Sequence, residues 1–148
     1  MSKYGLKKDK KFLISEEAAV DQVVRLLGYY DIDVDRLTSG DDSEMAAKFE
    51  MALDSVRDYF RTGQLELGEA DGSKLTVIHH LRGGDTLTYG EVSSKAKIAM
   101  ERFDPQAGYS RLYAFMGALC GIGKGAIEKL GPQDLSVVEV LGTVFLNA

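Results

Sequence analysis

Asp31, Asp33 and Asp35 alternate like the first ligands of a calcium-binding loop, with Ser39 and Asp42 at the ninth and twelfth positions counted from Asp31. Oxygen donors at those intervals can wrap a hard cation. However, the sixth position is Arg36 where the loop needs glycine, and the twelfth is Asp42 where a longer glutamate supplies two oxygens. The stretch reads instead as a solvated acidic connector whose aspartates cap neighbouring turns. Gly121-Ile122-Gly123-Lys124-Gly125-Ala126 has the glycine density of a phosphate cradle. As a phosphate loop it has Ala118 for the first glycine and Gly125 for the hydroxyl that holds magnesium; as a dinucleotide fingerprint it lacks the preceding strand. A helix break or a close packing surface accounts for these glycines better.

His79 and His80 are the only histidines. On a strand, adjacent side chains point to opposite faces, so the two cannot ligate one ion; one is expected to face the core and the other water. Cys120 is the single cysteine, which excludes an internal disulfide, and its place in the most apolar stretch marks a buried, inert thiol. Glu16-Glu17 and Asp41-Asp42 stand at helix starts, where the helix dipole explains them. No catalytic, cofactor-binding or metal-ligating residue is assigned, no cofactor is expected, and the balance is against an enzyme.

The elements that position these residues follow from periodicity. Ser15 and Glu16-Glu17 open a helix carrying Val20, Val23, Val24 and Leu27 at helical spacing, with Gly28 placed to end it. Tyr29 to Leu37 and the Ser39-to-Ser43 loop form a connector. Ala46, Phe49, Leu53, Val56 and Phe60 then make a regular apolar stripe on a long helix closed by Gly63. Leu65 and Leu67, the turn at Asp71-Gly72, and the alternation of Leu75, Val77, His79 and Leu81 read as a β-hairpin. After Gly83-Gly84, Thr88 and Glu91 fit a capping box and Leu87 and Val92 a hydrophobic staple, predicting a helix through Ala96, Ala99, Met100 and Phe103. Leu112, Phe115, Met116, Leu119 and Ile122 predict a more uniformly apolar helix, with a break expected around Gly121 to Gly125. Gly131-Pro132 restarts the chain into a last helix bearing Leu135, Val138, Leu141 and Phe145.

The fold class expected is α+β, mainly helical with one β-hairpin: an N-terminal helix pair, the hairpin, then three to four C-terminal helices. The organisation is a basic flexible tail over 1–12, a helical extension over 13–63, and a β-hairpin plus helical domain over 64–148. A hydrophobic content of 45% and a charged content of 28% in 148 residues suit an ordinary globular chain. No apolar run approaches the roughly 18 to 20 residues that span a bilayer. A soluble, cytoplasmic protein without membrane association is expected. The net charge of −5 includes Lys3, Lys7, Lys8, Lys10 and Lys11 against Asp9, so the rest of the chain is more acidic than the total. Such a body repels phosphate backbones, and any nucleic-acid contact would rest on that lysine arm alone.

The order of signals from Gln64 to Ala148 resembles the tail assembly chaperones of contractile-tailed phages and prophages. The resemblance is carried by the hairpin Leu65-Glu66-Leu67 to Leu75-Thr76-Val77 turning at Asp71-Gly72, then Leu81-Arg82 and Asp85-Thr86-Leu87-Thr88. It continues through Leu130-Gly131-Pro132-Gln133-Asp134-Leu135 and the closing Val144-Phe145-Leu146. Gly83-Gly84 and the extension over 13–63 depart from the pattern. The resemblance implies a non-enzymatic protein that binds a tail tape-measure protein, or another tail component, during assembly, and it brings no catalytic or metal residues. The stripes expected to meet a partner, or a second copy of the chain, are Phe49, Leu53, Val56 and Phe60, and Leu112, Phe115 and Leu119. The readings kept beside it are a nucleic-acid-associated regulator using the lysine arm and a small-molecule-binding domain.

Overall fold

The structure is a computed structural model that describes residues 12–39, 43–70, 74–104 and 106–147. The basic arm, the Asp71-Gly72 turn and Asp42 of the calcium-loop pattern lie outside the described residues. The elements run α1 (Glu16–Tyr29), α2 (Val34–Thr38), α3 (Ser43–Thr62), β1 (Leu65–Ala70), β2 (Lys74–His80), β3 (Thr86–Tyr89), α4 (Ser94–Glu101), α5 (Gly108–Cys120), α6 (Lys124–Glu128) and α7 (Pro132–Phe145). This is a mainly helical α+β fold, with seven helices and a three-stranded antiparallel sheet among the described residues.

The N-terminal region forms as its caps and stripes dictate. Ser15 Oγ accepts from the Ala18 amide to open α1, and Gly63 lies at φ +83° just past the end of α3. Two expectations are corrected. Gly28 does not end α1, which runs on to Tyr29 with Tyr30 as its C-cap. The buried face of α1 is Ala19, Val23 and Leu26, so Val20 and Val24 of the expected stripe point outward. The acidic connector also contains the short α2, opened by Asp33 accepting from the Arg36 amide. That bond engages one of the would-be calcium ligands as a helix cap.

The larger correction concerns residues 86–92. Thr86-Leu87-Thr88-Tyr89 is strand β3, not a capped helix start; it pairs antiparallel with β2 in the register Ile78↔Thr88 and His79↔Leu87. Leu87 and Tyr89 are buried while Thr86 and Thr88 are exposed, a period of two written in β-branched and aromatic residues. Gly83-Gly84 belongs to the tight turn between β2 and β3, closed by the Leu81 amide on the Asp85 carbonyl at 2.8 Å. Gly84 sits there at φ +102°, which a side chain would strain. The expected single hairpin is therefore a three-stranded meander in the order β1-β2-β3. The next helix begins later, at Ser94, with the Ser93 hydroxyl accepting from the Ala96 amide.

Gly121 closes α5 in the left-handed region at φ +77°, confirming the expected break, and Gly131 with Pro132 opens α7. One buried cluster draws from both halves of the chain: Val23, Leu26, Phe49 and Phe60 join Val77, Tyr89, Phe115, Leu141 and Phe145. Tyr30 ties the N-terminal helices to the rest. Its ring packs against Phe145 with centroids 4.8 Å apart, and its hydroxyl donates to the Gly90 carbonyl at 2.8 Å. Burying a large apolar side chain of this kind stabilises by roughly 1.5–3 kcal/mol, so residues 13–63 share their stability with residues 64–148.

Candidate functional site

Most of the residues expected to face a partner are core. Phe49, Val56, Phe60, Phe115 and Leu119 are buried, and of the seven only Leu53 and Leu112 keep part of their surface exposed. The stripe of α3 is regular because it packs inside the molecule. Leu112 belongs to the feature that does offer a surface: a groove of about 730 Å³ walled by α3, the start of α5 and α7. On α3 the lining residues Lys48, Met51, Ala52 and Ser55 recur at helical spacing along the flank next to the buried stripe. From α7 and the residue after it come Val140, Thr143 and Leu146.

The groove floor is apolar and partly closed, made by buried Ala52 and half-buried Leu112 and Val140. Its rim carries large exposed side chains, Met51 at 69% and Tyr109 at 66% exposure, with Leu146 also exposed. Gly142 sets how near α5 and α7 stand: a Cβ there would overlap the Leu112 side chain, so the glycine seats Leu112 between the helices. Tyr113 donates to Glu139 Oε1 at 2.7 Å and bridges the same two helices. Burial, with the Glu139 carboxylate as acceptor, pushes the Tyr113 hydroxyl up to about 12. Sequence periodicity missed Met51, Tyr109 and Gly142. The only signal they gave was apolar or small residues standing off the predicted stripes.

The histidines divide as expected: His79 is fully buried and His80 is exposed on the outer face, 2.6 Å from Glu66. His79 Nδ1 lies 3.2 Å from the Tyr89 hydroxyl, and its Nε2 lies 3.9 Å from Asp134 Oδ1 with no hydrogen-bond partner. Burial lowers the imidazole to about 4, although the charge of Asp134 pulls the other way. The tautomer that serves both neighbours has Tyr89 donating to Nδ1 and Nε2–H aimed at the carboxylate. With no exposed surface, His79 has no path to a substrate in this conformation. It sits between the sheet and the start of α7, bonded to Tyr89 and facing Asp134.

Cys120 is half-buried, and burial pushes its thiol up, away from a nucleophile's range. The glycine run supplies no phosphate cradle. Helix α5 precedes it, Gly117 packs onto the Gly123 backbone, and α6 spans only Lys124–Glu128. Among the described residues, no three of His, Cys, Asp and Glu gather closely enough to hold a metal ion, and no helix is long and apolar enough to cross a membrane. Comparisons with family models, with curated proteins and with solved structures found no match to this chain.

Proposed function

We propose that this protein is a non-enzymatic tail assembly chaperone or adaptor of a phage or prophage, and that it holds a tape-measure-like tail protein during virion assembly in the host cytoplasm. The client enters as an amphipathic helix laid along the groove between α3, α5 and α7. The observation that carries this reading is the groove itself, apolar at Ala52, Leu112 and Val140 and rimmed by exposed Met51 and Tyr109. A helix presents apolar anchors at three- and four-residue intervals, and a groove walled by helices accepts them along its length. Methionine adapts its shape to varied partners, and tyrosine contributes contact area with little loss of rotamer freedom. The resemblance read in the sequence from Gln64 to Ala148 supplies the link to tail assembly.

Co-expression with a tail tape-measure protein from the same genome, followed by affinity purification, tests the proposal. The expected result is a complex with the intact protein and at least about a tenfold loss of affinity for Met51→Asp or Tyr109→Asp. A tape-measure protein that fails to co-purify with the folded protein, or that binds these variants equally well, contradicts it.

A further inference from the structure

Helix α1 has a second apolar ridge that the described residues leave largely exposed. Its inner face is complete with Ala19, Val23 and Leu26, yet Val20 and Val24 stand 43% and 61% exposed, four residues apart on one flank. Gly28 continues that ridge by one turn, and a Cβ there would meet nothing within 4 Å. The ridge beside it, also at a spacing of four, carries Glu17, Asp21 and Arg25. Asp21 and Arg25 are exposed, and neither makes an ion pair with another described residue.

We infer that this face of α1 is a self-association surface that binds the same face of a second copy with the two helices antiparallel. The charge order is what selects that occupant. Acid lies toward the N-terminus and base toward the C-terminus of a short apolar ridge, so a twofold axis crossing between residues 22 and 23 sets Val20 of one copy beside Val24 of the other. The same axis sets Asp21 opposite Arg25 twice over. In an antiparallel pair each flank meets its own equivalent, which makes one helix sufficient for both halves of the match. A parallel twofold pairing would bring opposite flanks together and leave Asp21 and Arg25 without opposite charges to face. Gly28, without a side chain, leaves room for Glu17 of the neighbouring copy at each end.

One helix face buries less than the roughly 800 Å² per partner of a standard stable interface. The dimer is accordingly weak, with monomer and dimer exchanging over micromolar concentrations. No residue of α1 lines the groove between α3, α5 and α7, so pairing through α1 leaves a groove open on each copy. The inference does not depend on what occupies those grooves.

Sedimentation equilibrium of the intact protein, without any client, tests it. A concentration-dependent monomer–dimer equilibrium is expected, and Asp21→Arg and Arg25→Asp should each raise the dissociation constant by at least about tenfold. An equimolar mixture of those two variants should recover the dimer, because every facing pair is again opposite in charge. Both sites are exposed, so circular dichroism should show an unchanged fold; Val24→Ser offers a neutral variant with the same expected loss of dimer. A strictly monomeric wild type, a dimer indifferent to these changes, or a mixture that stays monomeric overturns the inference.

Discussion

Asp134, in the first turn of α7, stands 3.9 Å from the buried Nε2 of His79 and also accepts the Arg82 amide at 3.2 Å. One carboxylate thus links the inner face of β2, the turn that follows it and a helix N-terminus, where negative charge is favoured. The link spans more than fifty residues of sequence and joins the sheet to the helix that walls the groove.

Asp134→Ala should destabilise the protein by about 1–2 kcal/mol, since it strips an acceptor from the Arg82 amide and a charge from the α7 dipole. For a chain of this length that corresponds to a melting temperature lower by roughly 3–6 °C. Differential scanning calorimetry checks it, and an unchanged melting temperature would remove Asp134 from the account of the fold.

His79 gives the protein a specific pH dependence. Its folded-state value, about 4, lies below the ordinary 6.5, so the unfolded chain takes up the proton more readily than the folded one. The stability held by neutral His79 is complete above pH 6.5 and is lost as the pH falls toward 4; its full size is on the order of 3 kcal/mol. Urea unfolding at pH 7.5 and pH 4.5 should show a larger drop for the wild type than for His79→Gln. Equal drops would mean that His79 does not carry the effect.

The glycines around the α5–α6 break should respond in opposite directions to alanine. At Gly117 a new Cβ would overlap the Gly123 backbone, which cannot turn aside, so Gly117→Ala should cost about 1–3 kcal/mol. At Gly125, inside α6, a Cβ meets nothing within 4 Å, and Gly125→Ala should stabilise by up to about 1 kcal/mol. Chemical denaturation of the two variants separates packing from helix propensity.

What the sequence made legible was local. The Ser15 cap, the Gly63 stop, the β2 alternation with His79 inward, the break at Gly121 and the restart at Gly131-Pro132 each rest on signals within a few residues. Strand β3 was misread because Thr88 and Glu91 satisfy a capping box equally well, and the deciding term was pairing with β2 ten residues away. The core faces of α3 and α5 were found but assigned to a partner, because an apolar stripe looks the same whether it meets another helix of the chain or another protein. The groove could not be read at all, since Met51, Tyr109 and Val140 come from three distant helices and meet only through the tertiary packing.

The most direct test of a client held between α3, α5 and α7 is site-specific photocrosslinking in cells that co-express the tape-measure protein. A photoreactive side chain would replace Met51 or Tyr109, with Ile98, an exposed apolar residue of α4 outside the groove, as the control. The account predicts adducts with the tape-measure protein from positions 51 and 109 and none from position 98. Adducts from position 98 alone, or equal yields from all three, would contradict it.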